Sequence, residues 1–167
     1  MSEAIELAPY DPHWPNAYAE EAERLSQTLA HALLALHHIG STSVPGLIAK
    51  PVIDMLGEAL DLAAVDACKP ALANLGYLAR GANGIPGRRY FEKRDGAGKR
   101  THHLHIFATS SQEIGRHLTF RDRLRANPAL AADYGELKLA ILARGIERRE
   151  DYQQAKADFI ARASRAQ

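Results

Sequence analysis

Residues 38–56 read His38-Ile39-Gly40-Ser41-Thr42-Ser43-Val44-Pro45-Gly46-Leu47-Ile48-Ala49-Lys50-Pro51-Val52-Ile53-Asp54-Met55-Leu56. The small-residue run from Gly40 to Gly46 suits neither regular helix nor central strand and reads as a loop. Pro51 to Leu56 is short, apolar and β-branched, which predicts a strand carrying one aspartate. A Gly-Ser turn lets the backbone approach an anion, because glycine has no Cβ and the N–H groups and hydroxyls can face the ligand. An aspartate on the next strand can hold Mg²⁺ beside those phosphates, since hard cations prefer oxygen. Lys50 adds positive charge between loop and strand. The plain alternative is a tight turn followed by a strand-end aspartate.

On the N-terminal side, Tyr18, Ala22, Leu25, Leu29, Ala32, Leu33 and Leu36 recur at spacings of three and four, predicting an amphipathic helix over 16–36 behind Pro12 and Pro15. On the other side, 60–75 reads as a helix closed by Gly76, and 77–79 as a short strand. The glycine-rich stretch 81–87 is a turn region. Strands over 88–93 and 100–107 flank Asp95-Gly96-Ala97-Gly98, which has hairpin-turn chemistry. Helices are expected over 113–127, stopped by Pro128, then over 129–142 and 150–163. This order predicts an α+β fold, a small mixed sheet flanked by helices with a helical C-terminal part. Without repeats or a low-complexity linker, 1–167 is expected to form one domain.

The return strand carries Thr101-His102-His103-Leu104-His105. Alternation puts Thr101, His103 and His105 on one face, with His102 and Leu104 on the other. Two imidazoles on one face suit a metal or a phosphate, or proton transfer near neutral pH. On the following helix, Arg121 and Arg125 share a face, and Asp122 is spaced to pair with Arg125. Lys138 and Lys156 sit mid-helix, where a lysine is ordinarily solvated.

A chain of 167 residues with 46% apolar and 25% charged residues has the balance of a soluble globular domain. No run approaches the length of a membrane span, and the N-terminus lacks a secretory signal pattern. Cys68, the single cysteine, cannot form an intrachain disulfide, and the expected compartment is the cytoplasm. The net charge of +1 gives no global argument for nucleic acid or a membrane as partner, and neither is expected, although 80–125 is locally basic.

Several segments together resemble the GrpB family: Leu7-Ala8-Pro9-Tyr10-Asp11-Pro12-His13-Trp14, His38 through Asp54, His103-Leu104-His105, Leu118 through Arg125, Tyr134 to Lys138, and Tyr152 to Ile160. The resemblance implies the nucleotidyltransferase superfamily and its small mixed sheet. Gly40 and Ser41 match the phosphate-contacting turn, and Asp54 matches the first metal carboxylate. The second carboxylate would fall at Leu56, and His103 and His105 stand where a third is expected. Two-metal transfer needs carboxylates enough to hold ions about 3.5–4 Å apart.

The resemblance therefore implies a phosphorylated small-molecule ligand such as a nucleotide, with Mg²⁺ or another divalent metal. A transfer reaction would use Asp54, His103 and His105 as catalytic groups and metal ligands. Gly40, Ser41, Thr42, Ser43 and Lys50 would hold phosphates, Arg89 and Arg121 would clamp the anion, and Lys138 and Lys156 would add charge. The alternative is a degenerate scaffold that binds a nucleotide or anion without transferring it. The family's occasional fusion to dephospho-coenzyme A kinase points to a nucleotide or coenzyme-like ligand.

Overall fold

The computed structural model describes residues 4–165. Helix α1, Trp14–Thr28, ends well before the helix expected over 16–36, and the chain returns as strand β1, Leu33–Ile39. Leu29, Ala32, Leu33 and Leu36 satisfy a helical period, but residues 33–39 can also alternate. Pairing with the next strand decides between them: β1 runs antiparallel to β2, Ile53–Ala59, with His38 opposite Met55 and Ile39 opposite Asp54. Helix propensity is a weak preference that such tertiary pairing overrides. Between the two strands, Ser41–Ser43 forms a single 3-10 turn.

The single helix expected over 60–75 is two, α2 (Leu62–Ala67) and α3 (Lys69–Asn74). Pro70 has no N–H to bond back, so the first helix cannot run through it. Asp61 caps α2 by accepting from the Ala63 N–H. Strand β3 is Tyr77–Ala79, β4 is Arg89–Arg94 and β5 is Arg100–Ala108. Helices α4 (Gln112–Ala126), α5 (Pro128–Ala143) and α6 (Arg149–Arg165) complete the chain. Ser111 caps α4 and Asn127 caps α5, whose first turn holds Pro128.

The sheet order is β1-β2-β5-β4-β3, with β2 and β5 parallel and the other neighbours antiparallel. One face buries Met55, Phe91, Leu104 and Ile106 against Leu25, Val65 and Leu72 of α1–α3. The opposite face carries Asp54, Leu56, His103, His105 and Phe107. There Ile39, Leu56 and Phe107 pack on Ile114 of α4. Val44 and Leu47, after the Gly40 turn, pack on Leu124, Ala131 and Tyr134. The expected α+β architecture is the one found. Among the described residues, no helix is long and apolar enough to cross a membrane.

Candidate functional site

The parallel β2–β5 register sets Asp54 beside His103 and Leu56 beside His105. Alternation then turns Asp54, His103 and His105 to the same side. Asp54 Oδ1 lies 3.1 Å from His103 Nδ1 and 3.5 Å from His105 Nε2. Burial by itself would raise the Asp54 carboxyl, but hydrogen bonds from the two imidazoles hold it well below the usual carboxylate range. Burial lowers His105, against the pull of Asp54. The other nitrogen of His105, Nδ1, receives Arg88 NH1 at 3.3 Å. A guanidinium only donates, so this nitrogen accepts and the ring proton sits on Nε2, facing Asp54. His103 has the reverse tautomer: Nδ1 donates to Asp54, and Nε2 is buried with no hydrogen-bond partner among the described residues.

Beside this cluster, Gly40 adopts φ +72 and ψ −177, a region reserved for glycine. A Cβ there would stand 2.7 Å from Asp54 Oδ2. The hydroxyls of the turn are used internally. Thr42 donates to the Val52 carbonyl and meets His38 Nε2 at 3.0 Å, while Ser43 donates to the Gly40 carbonyl. From α4, Arg121 donates to the His38 carbonyl and Arg125 to that of Ser43, so two arginines brace the turn from outside.

A cleft of about 830 Å³ opens between this sheet face and the C-terminal helices. Gly40, Ser41, Lys50, Asp54, His103 and His105 line one wall, and His117, Tyr134, Lys138, Arg149, Tyr152 and Lys156 the other. Lys138 is 2% exposed and Lys156 7%. Lys138 donates to Ser41 Oγ at 3.0 Å and to the Ile48 carbonyl, and its ammonium sits over the Tyr134 ring. Lys156 lies over Tyr152, 4.4 Å from the ring centroid, and Lys50 approaches the same ring at 5.5 Å. Burial, helped by Lys50, pulls Lys138 down to about 7. Burial also brings Lys156 to about 7, helped by Lys50, Lys138 and Arg149 and opposed by Asp54. His117 falls to about 4, chiefly through burial. The hydroxyl of Tyr152, a fully buried residue, has no partner among the described residues.

The family model described as "GrpB protein" matches residues 4–166. The chain belongs to the GrpB family. It is 42% identical over 156 residues to UPF0157 protein YqkA of Bacillus subtilis, covering 93% of this chain and 45% of that longer protein. It thus spans under half the length of that relative. The crystal structure of GrpB from Enterococcus faecalis is similar throughout, with a TM-score of 0.87 at 41% identity, covering 95% of this chain and 94% of that one. Cid1, solved in complex with its short product ApU, aligns with a TM-score of 0.54 at 11% identity, over 78% of this chain and 41% of that one. At that identity the likeness is one of fold, and the fold is nucleotidyltransferase-like.

In this GrpB protein eight of the residues expected from sequence line the cleft together: Gly40, Ser41, Lys50, Asp54, His103, His105, Lys138 and Lys156. Thr42 and Ser43 do not, being buried with their hydroxyls bound to the turn. Nor does Arg121, which braces that turn, and its partner is Asp122, so the expected Asp122–Arg125 pair is replaced. Arg89 faces the other side of the sheet, paired with Asp66 of α2 at 2.7 Å. Tyr90 stands opposite His105, so Arg89 points away, and Arg88 is the arginine that reaches the cluster. The sequence reading missed Arg88, His117, Arg149 and Tyr152. Only Arg88 carried a usable signal, through its parity with Tyr90 and His105.

The donor atoms of Asp54, His103 and His105 lie within 4.8 Å of one another, close enough to share an ion. Their chemistry does not suit Mg²⁺, which takes oxygen ligands; two imidazoles and a carboxylate suit a first-row transition ion. The surroundings do not suit that ion either. A metal-bound imidazole donates its second N–H to a carboxylate, carbonyl or water. Here the second nitrogen of His105 faces the Arg88 guanidinium, which only donates. Glu92, opposite His103 on β4, is held by Arg80 at 2.6 Å and by Arg94 and Arg100 at 3.2 Å each, and cannot serve as a further carboxylate.

Proposed function

We propose that the cleft binds a phosphorylated small molecule, nucleotides being the first class to try, and that it does so without a metal ion. The observation that carries this reading is the pair of buried lysines, Lys138 and Lys156, which line the same cleft as Gly40, Ser41, Lys50 and Arg149. Burying ammonium groups costs several kcal/mol unless a counter-charge meets them. Among the described residues the carboxylates lining the cleft are Asp54, engaged by two imidazoles, and Glu113, paired with Arg116 at 2.7 Å. A phosphate would supply the missing negative charge.

In the bound state the Lys138 and Lys156 ammonium groups would meet phosphate oxygens, and Ser41 Oγ, already bonded to Lys138, would lie beside them. The aromatic and apolar wall of Phe120, Tyr134, Tyr152 and Ile160 would cover the less polar part of the ligand.

The test is a thermal-shift screen of nucleoside mono-, di- and triphosphates and sugar phosphates, with and without Mg²⁺, Mn²⁺ and Zn²⁺. A ligand at about 100 times its dissociation constant adds roughly 2.7 kcal/mol. Lys156→Met should lower affinity about ten- to a hundredfold, the worth of one charge-assisted hydrogen bond. A shift that needs no metal and weakens in Lys156→Met supports the reading; no shift with any of these anions overturns it.

A second reading is metal-dependent nucleotidyl or phosphoryl transfer at Asp54. The proximity of the three donors favours it. A nucleotide shift strictly dependent on a divalent ion and lost in Asp54→Asn, with turnover, would replace the first reading by this one.

A further inference from the structure

We infer that Arg88 settles the chemistry of the Asp54 cluster by fixing His105 as a hydrogen-bond donor to Asp54, and that it thereby keeps divalent metal ions out. Arg88 is buried, 7% exposed, and held from three sides. Nε donates to the Ala82 carbonyl at 3.0 Å, NH2 to the Asn83 carbonyl at 2.7 Å, and the guanidinium covers the Tyr90 ring at 4.9 Å. With these contacts in place, NH1 is directed at His105 Nδ1.

To ligate an ion through Nε2, His105 would have to shed that proton. Its proton would then move to Nδ1, against a guanidinium that can only donate. The alternative is an imidazolate with no proton at all. Either course costs the Arg88 contact or a hydrogen bond, and the ion would also meet the fixed positive charge of Arg88 beyond the ring. The carboxylate of Asp54 accepts instead from two imidazole N–H groups, both at Oδ1, which leaves Oδ2 toward the cleft.

This assignment orients the ligand of the cleft, and that consequence rests on the anion-binding reading above. With no cation at Asp54, phosphate is repelled from the carboxylate and belongs at the lysine end. The Asp54 end then suits a hydrogen-bond donor, such as a ligand hydroxyl or amino group. The ligand class is therefore a phosphate ester with a hydroxyl or amino group at its far end.

The experiment titrates Co²⁺ and Zn²⁺ alone into the full chain and into Arg88→Met, with calorimetry and the visible bands of Co²⁺ as readouts. The wild type should show no stoichiometric binding, and Arg88→Met should gain a site that Asp54→Asn removes. One Co²⁺ bound per wild-type chain, lost in Asp54→Asn, would overturn the inference, as would a folded Arg88→Met that gains nothing. Because Arg88 also ties down the 81–87 loop, histidine ¹⁵N spectra of the wild type supply a check that needs no variant. His105 protonated on Nε2 supports the inference, and protonation on Nδ1 refutes it. Neither readout uses an anion, so failure here is distinguishable from failure of phosphate binding.

Discussion

Gly40 and Asp54 touch so closely that no side chain fits between them: a Cβ on Gly40 would lie 2.7 Å from Oδ2 and 3.1 Å from Cβ of Asp54. The turn and the carboxylate are therefore one unit, each limiting where the other can be. Gly40→Ala combines this clash with a backbone region that costs other residues about 1–3 kcal/mol. We expect a fall in stability of at least that size in urea denaturation. Stability unchanged within about 0.5 kcal/mol would show that the turn moves freely of Asp54.

Lys138 and Lys156 tie stability and binding to pH. Each is pulled from 10.5 to about 7, so between those values the folded protein binds fewer protons than the unfolded chain. Stability should rise with pH across that window, the destabilising effect being fully present below about 7. An anion in the cleft favours the charged lysines, so its binding at about pH 8 should take up protons and weaken as pH rises further. Calorimetry of ATP or pyrophosphate in buffers of different ionisation enthalpy reads the uptake directly. Identical heats in all buffers would count against these lysines as the anion seat.

The hydroxyl of Tyr152 is buried and lacks a partner among the described residues, a condition that costs about 1–3 kcal/mol. Tyr152→Phe should therefore leave the free protein as stable as before, or more so. If the hydroxyl meets the ligand, affinity for ATP should drop in the same variant. A clear loss of stability would instead reveal a partner for this hydroxyl in the free protein.

Leu56 stands where the resemblance would put a second carboxylate, and it is completely buried against Ile39, Phe107 and Ile114. Restoring the acid should not restore catalysis. Leu56→Asp removes a core side chain and buries an unpaired charge, so a loss of about 3 kcal/mol or more is expected. A folded Leu56→Asp that gained Mg²⁺-dependent nucleotidyl transfer would contradict this account of the departure.

Much of the fold was legible because the signals were local. Gly76 with φ +93, the break at Pro128 and the turn at Asp95–Gly98 all depend on residues next to one another. Strand β1 was not legible, since Leu29, Ala32, Leu33 and Leu36 fit a helix and only pairing with β2 excludes it. The site divides along the same line. His103 and His105 followed from strand alternation and Asp54 from its place on the strand after the Gly-Ser turn, whereas the burial of Lys138 and Lys156 depends on how three helices close over the sheet. Arg89 in place of Arg88 was an error of a single residue, and on a strand that inverts the face.

The parallel pairing of β2 with β5 also bears on how the protein reaches its native state. Asp54 and His103 are 49 positions apart, and no hairpin can join parallel neighbours. The intervening chain must close a long loop before its central pairing rewards it, which slows folding. Until that pairing exists there is no cluster and no cleft wall. Ligand capture during refolding should thus be a late event, a direct marker of the moment the central strands meet.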